Sequence, residues 1–219
     1  MEGGGVTKVP VDPAIYHITH VDNLPSILAS AGLLSDAARR QGRFTARNIG
    51  YLHIKNRRMA RQVCRVSGDA VAAGGVLGDY VPFNFCFRSV MLHRVSIGHR
   101  DHSGGDGEVV HLLSTVQGAV RAGRPFAFTD RHAELAYAEY FDDLSDLVHV
   151  PWEVMPLTYW PHVREQRQAE FLVHEFFPWT GVTRIVAKSQ AVAARVSSTL
   201  AAAGASHLPA VAVNPQWYY

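Results

Sequence analysis

Apolar and polar residues alternate over 15–20, near the start of the chain, and this pattern predicts a β-strand. Because alternate side chains of a strand point to the same side, we expect His17 and Thr19 to share one face. Further alternating or apolar runs predict strands over 80–87, 109–113, 126–130, 169–176, 184–188 and 207–213. In the run 80–87, three side chains are expected to point together into the core: Phe83, Phe85 and Phe87.

Helical patterns separate several of these strands. Asp22 or Asn23 suits the N-cap of a short helix with Pro25 in its first turn, and Gly32 fits the C-terminal cap. Further helices are predicted over 49–65, 115–122 and 189–203, polar loops over 35–50 and 98–107, and short helical pieces over 134–161. Strands and helices do not alternate in a βαβ rhythm, so the pattern favours an α+β fold with a mixed or antiparallel sheet.

The length of 219 residues, 47% of them apolar, is sufficient for one domain with a hydrophobic core, expected to span 1–219. Residues 1–5 lack the basic and apolar regions of a signal peptide, and residues 1–13 are expected to form a flexible tail. No apolar run approaches the roughly 18 residues of a membrane span. Cys64 and Cys86 form no C-x-x-C pair, which indicates free thiols in a reducing compartment. We therefore expect a cytoplasmic protein, and a monomer.

Positive charge is concentrated in one part of the chain although the net charge is only +2. The segment 39–65 contains no Asp or Glu and carries the basic residues Arg39, Arg40, Arg43, Arg47, Lys55, Arg57, Arg58, Arg61 and Arg65. Such a segment is either a solvated helix face or a phosphate-binding surface. The predominance of arginine favours phosphate, because the guanidinium fork matches phosphate oxygens.

Several common enzyme signatures are missing from the sequence. It contains no G-x-G-x-x-G after a strand, no Walker A motif and no G-x-S-x-G elbow. The 12 histidines include the neighbours His93, His99 and His102, but they form no H-E-x-x-H motif or Cys/His grid. The sequence therefore predicts no metal site.

Glu170 stands at the head of a strand that is otherwise apolar over 169–173. Taken alone, Glu170 is explained as a structural carboxylate paired with Arg167 or Arg164, and His17 as a core histidine. Together with Thr19 they suit cleavage of the bond between nicotinamide and ribose in NAD. That reaction needs a carboxylate on the ribose 2′-hydroxyl and stabilisation of an oxocarbenium-like transition state.

The segments 15–24, 53–58, 74–77, 79–83, 88–92, 128–132 and 169–173 closely resemble the DarT family of DNA ADP-ribosyltransferase toxins. The resemblance runs from Ile15 to Tyr219. It implies an ADP-ribosyltransferase fold, with a mixed, split β-sheet core, flanking helices and NAD in the cleft as co-substrate. It also implies transfer of ADP-ribose to a base of single-stranded DNA, usually thymine, and a macrodomain antitoxin of the DarG type as partner.

The resemblance also assigns roles to individual residues. NAD-contact positions are His17, Ile18, Thr19, Ser26, Leu34 and Arg58. Glu170 falls at the catalytic acid, and Arg58 at the arginine that acts on the acceptor base. Residues near the acceptor are Arg88, Met91 and His132. From the basic segment, Arg43, Arg47 and Arg61 are candidates for phosphate contacts with the DNA strand.

One residue departs from the family pattern. Asn84 stands where a second aromatic residue is expected after Pro82 and Phe83, which puts the stacking of a base, and hence the sequence preference, in doubt. The alternatives left open are an ADP-ribosyltransferase acting on guanine in DNA, on RNA or on protein, and a non-catalytic nucleic-acid-binding module.

Overall fold

The protein is described by a computed structural model over residues 8–42 and 44–219. The strands of these residues are β1 (Ala14–His20), β2 (Gly32–Leu34), β3 (Tyr80–Asn84), β4 (Val109–Thr115), β5 (Phe126–His132), β6 (Tyr140–Phe141), β7 (Ala169–His174), β8 (Phe176–Pro178), β9 (Arg184–Ala187) and β10 (Ala210–Val213). The α-helices are α1 (Leu24–Ala29), α2 (Asp36–Gln41), α3 (Leu52–Arg58), α4 (Val90–Ser96), α5 (Val116–Arg121) and α6 (Gln190–Ala202).

Eight strands form the main sheet, in the order β10-β9-β4-β1-β3-β7-β5-β6, and β2 pairs with β8 separately. Strands β9 and β10 are parallel, whereas the other pairs are antiparallel. Strands β1 and β3 pair only at Tyr16 and Asn84, so the two halves of the sheet separate beside this contact. The predicted α+β fold with a mixed, split sheet is confirmed.

The region 35–50, predicted as a loop, contains helix α2. The hydroxyl of Ser35 accepts a hydrogen bond from the N–H of Ala38, and Asp36 lies in the first turn. Both features stabilise a helix N-terminus, so the sequence contained a start signal that the polar composition of the segment obscured.

The helix predicted over 49–65 is wrong at its C-terminal end, since α3 stops at Arg58. The residues that follow pair instead with the Gly- and Ala-rich segment 69–78. The N–H of Val63 donates to the carbonyl of Gly75, and the N–H of Leu77 donates to the carbonyl of Arg61. Tertiary pairing has therefore overridden a favourable helical composition.

The strand predicted over 80–87 ends at Asn84, where the chain bends. Phe87 consequently leaves the face shared by the two earlier phenylalanines and stacks on Trp217, with ring centroids 4.9 Å apart. The prediction that all three rings point the same way is wrong for Phe87.

The strand predicted over 169–176 is divided between two sheets. Glu175 adopts a left-handed φ of 58°, so the chain turns and β8 pairs with β2 instead of extending β7. The prediction that Gly32 caps α1 is wrong. Ala31 takes the left-handed conformation after the helix (φ 56°), and Gly32 is the first residue of β2. A Cβ on Gly32 would lie 2.2 Å from the carbonyl oxygen of Phe177, so only glycine permits this approach of the two strands.

Tyr80 and Trp152 are buried in the core with their polar atoms satisfied. The hydroxyl of Tyr80 donates to the carbonyl of Gly74, and the indole of Trp152 donates to the carbonyl of Leu147. Both cysteines are free, as predicted, and burial raises the pKa of Cys86 to about 11. Cys86 is therefore a small core residue rather than a nucleophile.

Part of the expected tail 1–13 lies outside the described residues. Of the rest, the carboxylate of Asp12 accepts from the N–H of Gln117, and the carbonyl of Pro13 accepts from the N–H of Val116. These bonds attach the residues before β1 to the start of α5. None of the described helices is long and apolar enough to cross a bilayer.

Candidate active site

A cavity of about 550 Å³ opens where β1 and β3 separate, a size typical of sites for small ligands. Its walls combine residues from β1, α1, α2, α3, α4 and the ends of β3, β5 and β7. Most of the site residues predicted from the sequence line it: His17, Ile18, Ser26, Leu34, Arg47, Arg58, Met91, His132 and Glu170. The split of the sheet therefore brings together residues that are far apart in the chain.

Glu170 and Arg58 form an ion pair in this cavity. The Nη1 group of Arg58 donates to Oε1 of Glu170 at 3.0 Å, and Nη2 lies 3.0 Å from Oε2. The two side chains are only 12% and 9% exposed. Burial acts to lower the pKa of Arg58, but the Glu170 carboxylate outweighs it and the pKa is raised. Arg58 is therefore a permanent cation at the carboxylate.

The structure assigns Glu170 a different partner from the arginines considered for it in the sequence. Arg167 donates instead to the backbone carbonyls of Val154 and Met155, at 2.5 and 2.7 Å. Asn84 lies directly opposite Glu170 in the pairing of β3 with β7 and also lines the cavity. The residue that departs from the family pattern is thus a neighbour of the carboxylate.

His17 lies on β1 and faces the same cavity. Its Nδ1 lies 2.8 Å from the carbonyl oxygen of Pro82, which only accepts, so Nδ1 carries the proton and donates. Burial lowers the pKa of His17, and the imidazole is neutral at pH 7. Nε2 is then left as a hydrogen-bond acceptor.

A charged cluster on α2 and α3 was missed by sequence reasoning. The carboxylate oxygen Oδ1 of Asp36 lies 2.7 Å from Nη2 of Arg39 and 3.1 Å from Nζ of Lys55, and all three residues line the cavity. Burial acts to raise the pKa of Asp36, but the two cations outweigh it and hold the pKa below its usual range. Recognising the cap at Ser35 would have placed this cluster on a helix.

Thr19 does not line the cavity. Its hydroxyl accepts from Nδ2 of Asn23, and Oδ1 of Asn23 accepts from the N–H of Arg47 at 2.7 Å. Asn23 and Arg47 are the residues of this group that reach the cavity. The guanidinium of Arg47 also pairs with Asp22 at 3.0 Å.

The remaining predicted residues lie in different places. His132 is in the cavity, and burial lowers the pKa of its imidazole. The guanidinium of Arg61 donates to the carbonyl of Leu135 at 2.8 Å. Leu135 lines the cavity, whereas Arg61 lies behind it and is not one of the lining residues. Arg88 borders a second, smaller cavity. Arg43 lies outside the described residues.

One group of possible metal ligands lies outside the cavity, formed by His20, Asp22 and Glu108. The guanidinium of Arg195 forms ion pairs with both carboxylates. Nε2 of His20 lies 3.2 Å from Glu108. An arginine thus already neutralises the charge that a metal cation would neutralise, and the group is explained as an ion-pair network joining β1 to α6.

Comparisons with known proteins agree with this geometry. A family model described as "ssDNA thymidine ADP-ribosyltransferase, DarT" matches residues 16–219. A DNA ADP-ribosyl transferase of Thermus sp. (strain 2.9) is 41% identical over 213 residues, which cover 96% of this chain and 98% of the relative.

Two solved structures are also similar. Thermus sp. 2.9 DarT in complex with ADP-ribosylated ssDNA has a TM-score of 0.88 at 38% identity, covering 98% of this chain and 100% of that chain. Thermus sp. 2.9 DarT in complex with NAD+ has a TM-score of 0.85 at 37% identity, covering 97% and 100%.

The split mixed sheet, with an acid and a histidine in the cleft, defines an ADP-ribosyltransferase that uses NAD as co-substrate. Within that class, the chain belongs to the DarT family of ssDNA thymidine ADP-ribosyltransferases. It is an NAD-dependent DNA ADP-ribosyltransferase, and the predictions of fold, enzyme class and co-substrate are confirmed. The toxin function expected from the sequence fits this family. The alternative of a non-catalytic binding module is not retained.

Proposed function

We propose that the cavity binds NAD with its nicotinamide ribose against Glu170, and that ADP-ribose is transferred to N3 of a thymine in single-stranded DNA. The observation that carries this proposal is the convergence of the Glu170–Arg58 ion pair and the His17 imidazole on one cavity. An acid for the ribose, a cation for the acceptor and a neutral imidazole for the nucleotide are the groups this reaction needs.

The NAD side of the cavity lies along β1, α1 and α2. His17, with Nε2 as an acceptor, is suited to a ribose hydroxyl of the dinucleotide. Lys55 and Arg39 supply positive charge for the pyrophosphate, held in place by Asp36. Apolar and hydroxyl contacts along the same wall come from Ile18, Ser26 and Leu34.

Thr19 has an indirect role in this proposal. Its hydroxyl orients Asn23, and Asn23 holds the backbone of the segment that contains Arg47. Thr19 is therefore a residue that positions the cavity wall through Asn23, and it does not contact NAD directly.

Cleavage begins when the Glu170 carboxylate accepts a hydrogen bond from the 2′-hydroxyl of the nicotinamide ribose. The carboxylate stabilises the positive charge that grows at the anomeric carbon as the C–N bond breaks. Nicotinamide leaves with the bonding electron pair. The deprotonated N3 of thymine then forms the new bond from the opposite face.

Arg58 acts on the acceptor by electrostatics. With its pKa raised above the ordinary arginine value, it cannot serve as a base at neutral pH. It instead stabilises the negative charge of the thymine anion and so lowers the cost of proton loss. The proton passes to the imidazole of His132, which is neutral because burial lowers its pKa and which faces the same cavity.

The DNA strand enters from the side of α4, where Met91 lines the cavity. Arg47 is half exposed at the rim and supplies a phosphate contact. Further contacts with the strand are assigned to Arg43 of the basic segment and to Arg88, two residues before α4. The guanidinium of Arg61 donates to the carbonyl of Leu135 and is assigned a structural role instead.

The biological setting follows from the family and remains part of the proposal. The single domain 1–219 acts as a monomer in the cytoplasm, where single-stranded DNA is available. A macrodomain antitoxin of the DarG type opposes it. Membership of the DarT family supports this partner, and the free cysteines are compatible with a reducing compartment.

The test is mass spectrometry of a mixed pool of single-stranded oligonucleotides after incubation with NAD. We expect a mass increase of one ADP-ribose on thymine, in a restricted sequence context, together with nicotinamide release. RNA and protein pools are incubated in parallel. A mark on guanine, RNA or protein, with thymine unmodified, would overturn the proposed acceptor.

A further inference from the structure

A second cavity, of about 290 Å³, adjoins the acceptor side of the active site. Its wall includes Phe87, Arg88, Thr158, Arg167, Gln216 and Trp217. None of these residues contributes to the wall of the larger cavity. The second cavity is therefore a separate feature of the surface.

Two arginines give this cavity its charge. Arg88 packs over the ring of Tyr219, with the guanidinium carbon 4.3 Å from the ring centroid. Arg167, only 3% exposed, donates to backbone carbonyls, including that of Arg88 at 3.2 Å. The Nε atoms of both arginines are buried without a hydrogen-bond partner among the residues the structure describes. The two guanidinium groups therefore place positive charge along the cavity wall, which favours an anionic ligand.

The apolar part of the wall is an aromatic stack. The rings of Phe87 and Trp217 lie 4.9 Å apart with an interplanar angle of 18°. Aromatic side chains beside positive charge are the combination that binds unpaired nucleotides, because every base has a face that stacks and every nucleotide a phosphate.

The two cavities share two chain segments. Arg88 of the smaller cavity lies three residues before Met91 of the larger one, so their Cα atoms are at most about 11 Å apart. Arg167 and Gln168 are adjacent in sequence and line the smaller and the larger cavity respectively. A strand with its acceptor base in the larger cavity can therefore place a neighbouring nucleotide in the smaller one.

We propose that the second cavity binds a nucleotide of the DNA strand that flanks the acceptor base. The phosphate contacts Arg88, with the charge of Arg167 behind it, and the base packs against the Phe87–Trp217 stack. This inference rests on the proposed function, since it requires DNA as the acceptor. The second cavity thus contacts the DNA beyond the reacting nucleotide and contributes to the preference of the enzyme for particular DNA sequences.

The test places a negative charge at the mouth of the cavity. Gln216 and Thr158 are exposed there, so Gln216→Glu and Thr158→Glu should fold normally. Gln190→Glu, an exposed position on α6 outside both cavities, is the matched control. Dissociation constants are measured by fluorescence anisotropy for the wild type and each variant, on oligonucleotides shortened one nucleotide at a time from both ends.

We expect Gln216→Glu to bind the full strand about tenfold more weakly than the wild type, as for one lost phosphate contact, with Gln190→Glu unchanged. Removing the nucleotide that occupies the cavity should weaken the wild type by a similar factor and abolish its difference from Gln216→Glu. Equal weakening of Gln216→Glu on every oligonucleotide, or none on any, would overturn the inference. Failure of the proposed function is distinguishable, because the wild type would then release nicotinamide without labelling thymine.

Discussion

Arg58 at the end of α3 and Glu170 near the start of β7 meet as an ion pair, with two N–O separations of 3.0 Å. The residues are 112 positions apart in the chain, and the split of the sheet brings them to one cavity. The two catalytic groups of the proposed mechanism thus orient each other before substrate arrives. This arrangement preorganises the charges that the transition state needs.

Glu170→Gln tests the acid. The amide has nearly the same shape but no negative charge, so the growing positive charge on the ribose loses its main stabilisation. We expect nicotinamide release and DNA labelling to fall at least about 100-fold, while the dissociation constant for NAD changes little. Release is followed by chromatography and NAD binding by calorimetry.

The control for this variant is Glu165→Gln. Glu165 also lines the cavity, but it is exposed and accepts from the hydroxyl of Tyr137 instead of forming the ion pair. It should retain most of the activity. Thermal unfolding of both variants shows whether the fold is intact, and a Glu170→Gln protein with wild-type labelling would end the proposed mechanism.

Arg58→Lys separates an electrostatic role from that of a base. Lysine keeps the positive charge but cannot donate two parallel N–H bonds. We expect the ratio of labelled DNA to released nicotinamide to fall at least about tenfold, since the thymine anion loses part of its stabilisation. Both products are quantified from the same reaction.

The pH dependence of this variant discriminates further. Lysine, with an ordinary pKa of about 10.4, gives up its proton more readily than arginine. If deprotonation of residue 58 were the catalytic step, transfer by Arg58→Lys should recover as the pH rises from ~7 to ~10. We expect the deficit relative to the wild type to persist across this range.

Arg47 and Arg61 should respond differently to salt. Arg47 is half exposed at the rim, whereas the Arg61 guanidinium donates to the carbonyls of Leu135 and Ala136. Arg47→Gln should reduce the slope of log Kd against log salt concentration by about 0.7, as expected for one phosphate contact on a single strand. Arg61→Gln should instead lower the free energy of unfolding by about 1 kcal/mol with an unchanged slope. A smaller salt slope for Arg61→Gln would show that Arg61 contacts the strand directly.

Alternation and family resemblance were sufficient to predict most of the sheet and most of the cavity residues. The strand 15–20 and Glu170 at the head of 169–173 lie where the pattern places them, because period-two alternation fixes which residues share a face. Alternation could not predict that Glu170 pairs with Arg58. The pairing depends on the end of α3, which is set by tertiary hydrogen bonds of Val63 and Leu77 with distant residues.

The sequence also failed to predict a charged cluster, because a helix start signal lies in a segment of polar composition. The cluster of Asp36, Arg39 and Lys55 depends on a short helix that opens with Ser35. A six-residue helix has too few periodic positions to be recognised by hydrophobic pattern. The orientation of Phe87 was not predictable for a third reason. It is set by stacking on Trp217, and these two residues are far apart in the chain.

His111 should make the fold sensitive to acid. It is fully buried on β4, where Nε2 donates to the carbonyl of Phe87 at 2.8 Å and Nδ1 lies 3.1 Å from the hydroxyl of Tyr218. Burial lowers the pKa of His111 from 6.5 to about 4. Below pH ~6.5, His111 is therefore protonated in the unfolded chain but stays neutral in the folded chain. The free energy of unfolding decreases as the pH falls from there toward the pKa of the folded state.

His111→Gln removes this titration while keeping a side-chain N–H that can donate to Phe87. For the wild type, the shift to about 4 corresponds to a loss on the order of 2 kcal/mol in the free energy of unfolding between pH ~7 and ~4.5 from this one group. The variant is expected to be less stable at pH ~7, where the imidazole fits its site, but to lose correspondingly less on acidification. Urea unfolding at both pH values measures the two differences. Parallel losses in wild type and variant would show that His111 is not the source of the acid sensitivity.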